Sequence, residues 1–209
     1  MDKATAVELL AIYQRAGMVL SEADPVLRAL PEDEHSLHLR ALAGMYAGLW
    51  ETLQRPVVKA FPGLDPDIEI AVAGSADGAS VAQLYAEAGY GAAVDPSDTV
   101  VVARLPGTVV GVVRLCPEQG VTVLRGMQIR APYRRQGLGA RLLAACLPQL
   151  EQEQEEAFCL PYRHLAGFYG GAGFETVGSA VLPAFLAARM AGYRAAGQDI
   201  IAMRRAGPL

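Results

Sequence analysis

The stretch Met127–Leu143, MQIRAPYRRQGLGARLL, decides how the rest of this chain is interpreted. It begins as a short apolar strand, passes through a basic, glycine-rich turn and continues as an amphipathic helix. The turn leaves unpaired backbone N–H groups at the N-terminus of that helix, where the helix dipole is positive. Gly137 and Gly139 lack a Cβ, so the backbone lets an anion approach closely. With two arginines in the turn, the stretch predicts a site for a phosphate or pyrophosphate.

A second block, His164–Phe174 with the sequence HLAGFYGGAGF, strengthens this interpretation. The separation of the two blocks leaves room for one helix and one strand. Together they resemble the GNAT superfamily of acetyl-CoA-dependent N-acyltransferases, over roughly residues 68–205. The segment Arg134–Gly139 is similar to that family's pyrophosphate-binding motif, and the second block is similar to its later helix–strand motif.

The apolar pattern after residue 67 predicts an α/β (α+β) domain. Several predicted strands follow one another without an intervening helix, which means antiparallel pairing within a mixed sheet. The resemblance likewise implies a GNAT-like, mostly antiparallel sheet flanked by helices, with a helical N-terminal extension. The strands are predicted at residues 68–72, 99–105, 109–116, 121–130, 157–160, 174–177 and 199–204, and the helices at 77–88, 137–154, 164–172 and 182–195.

The N-terminal part is predicted to be helical, with an extension over residues 1–61 and the GNAT-like domain over residues 68–209. A helix is expected over 3–20, a short one after Asp24-Pro25, and a long one from Pro31 that Pro56 ends or kinks. The long helix carries an apolar stripe too wide to leave in water. We therefore expect it to be buried on the following domain, on the first helix or in a homodimer. The stripe consists of Leu42, Met45, Leu49 and Leu53.

The resemblance implies how the acyl donor, acetyl-CoA, is held. The backbone of Met127 and Ile129 would pair with the pantetheine arm as an added strand. The basic turn and the start of its helix would surround the pyrophosphate. The positions that the resemblance assigns to this cosubstrate are Met127, Gln128, Ile129, Arg134, Arg135, Gln136, Gly137, Leu138, Gly139 and Ala140.

Tyr169 is the predicted catalytic residue. It matches the family's tyrosine in the pattern Phe168-Tyr169-x-x-x-Gly173-Phe174. Acyl transfer from a thioester to an amine needs a proton donor for the leaving thiolate. A phenol with the ordinary pKa of about 10 suits that task.

The general base and the acceptor pocket are less defined. Family members often carry a glutamate near the start of the motif strand, whereas residues 121–125 read VTVLR, without a carboxylate. A water chain or a backbone carbonyl could serve, and His164 is the nearest titratable side chain by sequence. Cys159 and Tyr162 fall where the strands should separate, so we expect them, with His164, to line the acceptor pocket. A nucleophilic Cys159 is an alternative, but the family usually transfers the acyl group directly.

Bulk properties exclude several function classes. The chain has 209 residues, 52% hydrophobic and 19% charged, so it can bury a sizeable core. A net charge of -4 argues against nonspecific nucleic-acid binding. Three scattered cysteines without metal-ligand spacing suit a reducing compartment and predict no metal site. No signal segment or long apolar run is present, so we expect a cytoplasmic protein without a membrane partner.

These observations predict an N-acetyltransferase that moves an acetyl group from acetyl-CoA to a primary amine of a small molecule or protein. Residues 68–209 carry equal numbers of acidic and basic side chains, which argues weakly against a highly cationic acceptor. The alternative is a noncatalytic CoA-binding regulatory module that acts through its N-terminal helices, favoured by the lack of an obvious base. A dinucleotide-binding enzyme is disfavoured, because the glycine-rich turn comes in mid-chain and not after the first strand.

Overall fold

The computed structural model of the protein describes residues 1–153 and 156–207. It divides into two compact units, Met1–Pro66 and Asp67–Leu209. Among the described residues, no helix has the length and apolar character needed to cross a membrane.

The first unit is helical. Asp2 caps the first helix, because its carboxylate accepts a hydrogen bond of 2.9 Å from the Thr5 N–H. A π-helical turn, Leu49–Gln54, joins the third helix to the fourth. Pro56 therefore does not end the helical run, but directly follows the π turn as the second residue of α4 (Arg55–Ala60). The helices are α1 (Lys3–Ser21), α2 (Asp24–Leu27), α3 (Glu32–Gly48) and α4 (Arg55–Ala60).

The expected burial of the α3 stripe is wrong for this chain on its own. Met45 is 55% exposed and Leu53 is 40% exposed, while Leu42 and Leu49 are half-buried. The core of the unit forms instead between α1 and α4, and α3 contributes no fully buried side chain. Beyond α3, the π turn closes its hydrogen bonds one residue later than an α-helix does, so the i, i+3, i+4 face is not continued. The homodimer stays a prediction.

The second unit is built on a seven-stranded sheet in the described part of the chain, in the order β1-β2-β3-β4-β5-β7-β6. Neighbours are antiparallel except β4 and β5, which are parallel. This confirms the predicted mixed, mostly antiparallel sheet. The strands are β1 (Glu69–Val72), β2 (Thr99–Leu105), β3 (Thr108–Glu118), β4 (Val121–Ile129), β5 (Ala157–Cys159), β6 (Glu175–Val177) and β7 (Ala202–Arg205).

Helices cover both faces of this sheet. Helices α6 and α7 pack on one face, against alternate strand residues such as Val113 and Leu115. Helices α5 and α8 pack on the other face, where Val112 and Cys116 point. Gln154, the predicted end of the α6 segment, lies outside the described residues. The helices are α5 (Gly78–Glu87), α6 (Leu138–Glu153), α7 (Ala166–Gly170) and α8 (Ala184–Ala195).

Candidate active site

The two parallel strands in the middle of the sheet separate after a short paired stretch. Strands β4 and β5 pair only at Thr122 with Ala157 and at Val123 with Phe158. The chain after β5 turns toward the segment that precedes β7, where the Ile201 N–H donates to the Pro161 carbonyl at 3.0 Å. An open wedge therefore lies between β4 and the continuation of β5.

A bulge in β4 shapes the other side of this wedge. Gly126 and Met127 together oppose the single residue Val113 of β3. Gly126 has a φ of +67°, and a Cβ there would come within 2.8 Å of the Tyr85 hydroxyl oxygen. That hydroxyl donates to the Gly126 carbonyl at 3.0 Å. Only glycine fits this position without strain.

Beyond the bulge, β4 presents backbone groups to the wedge. The Arg130 N–H donates to the Val110 carbonyl of β3 at 2.9 Å. Backbone groups alternate along an antiparallel strand, so Gln128 also pairs toward β3, while Ile129 points its N–H and C=O toward the wedge. The Arg134 Nε donates to that Ile129 carbonyl at 2.7 Å. An extended ligand could pair with this edge.

The glycine-rich turn follows directly. It begins with a 3₁₀ turn, Ala131–Tyr133, and ends where α6 begins at Leu138. Arg135 and Gly137 both have positive φ, +60° and +95°. Left-handed residues in such a turn let successive N–H groups converge on one point, which makes an anion-binding concavity.

The side chains of the turn divide into two groups. Arg134, Arg135 and Ala140 are exposed, and neither arginine forms an ion pair with another described residue. Leu138, by contrast, is fully buried in the core, so only its main chain can face a ligand. A Cβ on Gly139 would lie 3.3 Å from the Ile129 Cδ1, which shows how closely α6 approaches β4. The Gln136 side chain donates to the Pro132 carbonyl at 2.6 Å.

Tyr169 is carried by α7 and lines the wedge. It is only 7% exposed, and its ring packs edge-on against Phe168 and Phe174. Its hydroxyl has no hydrogen-bond partner among the residues described. Burial, and next the neighbouring Cys159 and Cys146, raise the pKa of Tyr169 well above its ordinary value. The sequence predicts a proton donor with the ordinary pKa of a phenol, but burial makes the Tyr169 hydroxyl a weaker acid than that.

The three residues predicted for the acceptor pocket lie in different environments. Cys159 and Tyr162 line the wedge, whereas His164 is exposed and is not among the described lining residues. The His164 ring stacks on Tyr162 with 5.8 Å between centroids. Burial raises the pKa of the Cys159 thiol, so it is protonated at neutral pH and ill-suited to act as a nucleophile.

The wedge opens into a cleft of about 430 Å³ whose far wall the sequence did not indicate. Glycine inside an apolar strand is the usual signal of a bulge, so Gly126 could have been singled out. The other wall residues come from segments far apart in sequence and carry no local signal. No carboxylate or histidine occurs among the described residues that line the cleft. The polar side chains of this wall are Tyr90, Arg125, Arg189, Tyr193 and Gln198.

A buried arginine holds the segment that carries Tyr90. Arg114 is 1% exposed and forms an ion pair of 2.8 Å with Asp98. It also donates to the Ala93 carbonyl at 2.6 Å, and its guanidinium lies over the rings of Tyr85 and Tyr90. These contacts fasten the irregular chain between α5 and β2 beside the cleft. No cluster of three or more potential metal ligands occurs among the described residues.

Comparison with known families settles which group this architecture belongs to. A family model described as an acetyltransferase (GNAT) domain matches residues 73–186, more than half of the chain. The chain belongs to the GNAT family. This confirms the resemblance drawn from the two sequence blocks. A comparison with curated proteins gives no match.

Solved structures share the GNAT fold at low sequence identity. N-acetylglutamate synthase from Neisseria gonorrhoeae, complexed with coenzyme A and N-acetyl-glutamate, has a TM-score of 0.52 at 16% identity, over 91% of this chain. The chain spans only 50% of that protein's length. ElaA of Escherichia coli has a TM-score of 0.51 at 15% identity, over 66% of this chain and 99% of its own. An acyl-CoA N-acyltransferase from Pseudomonas aeruginosa has a TM-score of 0.50 at 20% identity, over 67% and 99%.

Proposed function

We propose that this GNAT protein transfers an acetyl group from acetyl-CoA directly to a primary amine of a small molecule or protein. One observation carries the proposal. The separation of β4 from β5 leaves an open backbone edge with the buried hydroxyl of Tyr169 beside it. A thioester needs such an arrangement, because it must be held in extended form next to a proton donor.

The residues present fit acetyl-CoA as the acyl donor. The open edge of β4 near Ile129 suits an amide-containing pantetheine arm, which would pair as an added strand. The turn with left-handed Arg135 and Gly137 suits the pyrophosphate, with the helix dipole of α6 and two exposed arginines adding positive charge. The N. gonorrhoeae synthase with a similar fold was solved with coenzyme A bound.

The transfer itself is a single displacement. The amine nitrogen attacks the thioester carbonyl carbon, so a C–N bond forms and the C–S bond breaks. Backbone N–H groups of β4 stabilise the negative charge that develops on the carbonyl oxygen. Tyr169 donates its proton to the departing thiolate, the amine releases a proton to water, and water reprotonates Tyr169. Burial raises the pKa of Cys159 as it raises that of Tyr169, so a thiol leaving in this cleft also becomes more basic.

A thiol-release assay with acetyl-CoA and a panel of primary amines tests this proposal. Mass spectrometry of the products must show an increase of one acetyl group on the amine. We expect acetyl-CoA consumption that depends on the amine. Release of thiol without any acetylated amine would mean hydrolysis and would contradict an N-acyltransferase.

The rival function is a noncatalytic CoA-binding regulator. The observation in its favour is the lack of a carboxylate or histidine among the described residues lining the cleft, because such a residue usually deprotonates the attacking amine. Calorimetric binding of coenzyme A together with no product from any amine, measured up to pH 9.5, would support the regulator. Turnover that rises with pH as the amine loses its own proton would support the transferase.

A further inference from the structure

We propose that the acceptor carries a carboxylate as well as the reacting amine, and that Arg125 and Arg189 bind this carboxylate. The inference rests on the transferase function proposed above and names its substrate class. That class is the amino acids and other amino-carboxylic acids, as opposed to polyamines and neutral amines.

The charge of the cleft is the first argument. Arg125 and Arg189 both line it, and both pair with the same carboxylate, Glu118. The distances are 2.8 Å from Arg125 Nη1 to Glu118 Oε1 and 2.6 Å from Arg189 Nη2 to Oε2. Two guanidinium groups thus share one carboxylate, which leaves one positive charge uncompensated. Nearby Arg114 is already neutralised by Asp98.

The remaining donors are the second argument. Within residues 1–153 and 156–207, the Arg125 Nη2 and the Arg189 Nε have no hydrogen-bond partner. Each side chain is about a quarter exposed, 28%, so its free donors are accessible yet partly desolvated. Hydrogen bonds from a guanidinium to a carboxylate are among the strongest in proteins, and partial burial strengthens them further.

The position of the arginines is the third argument. The glycine-rich turn before α6 and the Tyr169 side chain lie on the side of the sheet that α6 and α7 cover. Arg189 belongs to α8, on the opposite side, and Val123 of β4, two residues before Arg125, packs in the α8 cluster. Acetyl-CoA entering from the side of α6 and α7 would therefore leave the two arginines free to bind the acceptor. The wedge between β4 and β5 joins the two sides.

The lining also disfavours cationic acceptors. Asp, Glu and Lys are all missing from the described residues that line the cleft, whose other polar groups are tyrosines and glutamines. A polyamine would meet an uncompensated positive charge, and the carboxylate beside this wall, Glu118, is already paired with both arginines. An amino acid would place its amine toward Tyr169 and its carboxylate on the arginines.

Matched acceptors and charge variants test the inference. The acceptors are 4-aminobutanoate and several L-amino acids, each compared with its carboxamide, with spermidine as a cationic acceptor. The quantity measured is the ratio of kcat/KM for the acid to that for the carboxamide. The acid and its carboxamide differ in the basicity of their amines, but this difference is the same for every variant. It therefore cancels when the ratio of a variant is compared with the ratio of the wild type at one pH.

We expect the ratio to fall about tenfold or more in Arg189→Met and in Arg125→Met, since each removes a charged hydrogen-bond donor. Glu118 keeps one arginine partner in either variant. Glu118→Gln should raise the ratio, because it adds to the uncompensated positive charge. Arg204→Met removes a surface arginine paired with Glu156 and should leave the ratio unchanged. A purely structural role for the arginines would not move the ratio in opposite directions.

Outcomes for the two proposals are distinct. Acetylation of carboxamides or spermidine as efficiently as acids would overturn this inference and leave the transferase intact. If no acceptor is acetylated, the transferase proposal fails. Calorimetry with 4-aminobutanoate and its carboxamide in the presence of coenzyme A then tests the carboxylate inference without any need for turnover. Preferential binding of the acid, weakened in Arg189→Met, supports it, and equal or absent binding of the two contradicts it.

Discussion

The two sides of the sheet contribute to the cleft in different ways. On the side of α6 and α7, the candidate site consists of one continuous segment, Met127–Ala140, and one tyrosine, Tyr169. On the side of α5 and α8, it consists of Tyr90, Arg125 and Arg189, which are far apart in sequence. The first side uses backbone N–H groups and glycine conformations, whereas the second uses charged and phenolic side chains. Under the proposed function, cosubstrate binding would depend on local geometry and acceptor choice would depend on tertiary packing.

The largest effect is expected at Tyr169. Tyr169→Phe keeps the ring contacts with Phe168 and Phe174 and removes only the proton donor. We expect kcat to fall by ~10²–10⁴-fold, with the Kd for coenzyme A and the melting temperature nearly unchanged. Tyr13→Phe, in the N-terminal unit, is the matched control. Wild-type turnover in Tyr169→Phe, with chemistry shown to be rate-limiting, would reduce Tyr169 to a packing residue.

The next largest effect is a loss of folding stability in the cleft wall that carries Tyr90. Arg114→Met leaves the Asp98 carboxylate buried without its partner and releases the segment that carries Tyr90. Breaking a buried ion pair costs about 3–5 kcal/mol in the free energy of unfolding, which urea denaturation measures. Arg204→Met, which breaks an exposed pair, should cost ~1 kcal/mol or less. Equal costs for the two variants would show that the buried pair does not stabilise this wall.

A smaller effect, on the affinity for coenzyme A, is expected in the glycine-rich turn before α6. Gly137→Val adds a branched side chain where the backbone has φ of +95° and where the pyrophosphate should approach. The Kd for coenzyme A should rise about tenfold or more, about 1.4 kcal/mol, by calorimetry. Gly178→Val is the control, because a Cβ there meets open space. Arg134→Gln, which leaves the backbone intact, should also weaken binding. Unchanged affinity in both folded variants would remove the turn from the site.

The smallest effect is a pH dependence of folding stability that arises from Glu118, the carboxylate paired with Arg125 and Arg189. Burial alone would raise the pKa of Glu118, but hydrogen bonds from Arg189 and Arg125 outweigh it and hold the pKa below its usual value. A lowered pKa in the folded state stabilises the fold above the unfolded value of about 4.3, and this stabilisation is lost as the pH falls through the folded pKa.

Thermal melting of wild type and Glu118→Gln from pH 7 to pH 3 measures this effect. The wild type should be more stable at neutral pH by about 1 kcal/mol or less, and the difference should vanish at acidic pH. A difference that grows as the pH falls would contradict the assigned ion pairs.

Much of the fold could be predicted from local pattern. The strand at Thr99–Leu105 has the predicted bounds, β3 and β4 differ from prediction by one or two residues at their ends, and α6 begins one residue later than predicted. Periodicity succeeds there because each element buries one regular face. It failed for the α3 stripe, because the π turn after Gly48 and the pairing of α1 with α4 decide which side chains are buried.

The sequence by itself determined the family and the mixed sheet, and it supplied the glycine-rich turn and Tyr169 as candidates for anion binding and proton donation. These properties reside in short segments whose glycines, arginines and apolar spacing act through backbone geometry over a few residues. Only the tertiary structure decided how far β4 and β5 separate, how strongly burial perturbs Tyr169 and Cys159, and which arginines face the cleft. Desolvation depends on how segments from different parts of the chain pack together, and Arg125 and Arg189, which share Glu118, are 64 residues apart, so no local pattern encodes either property.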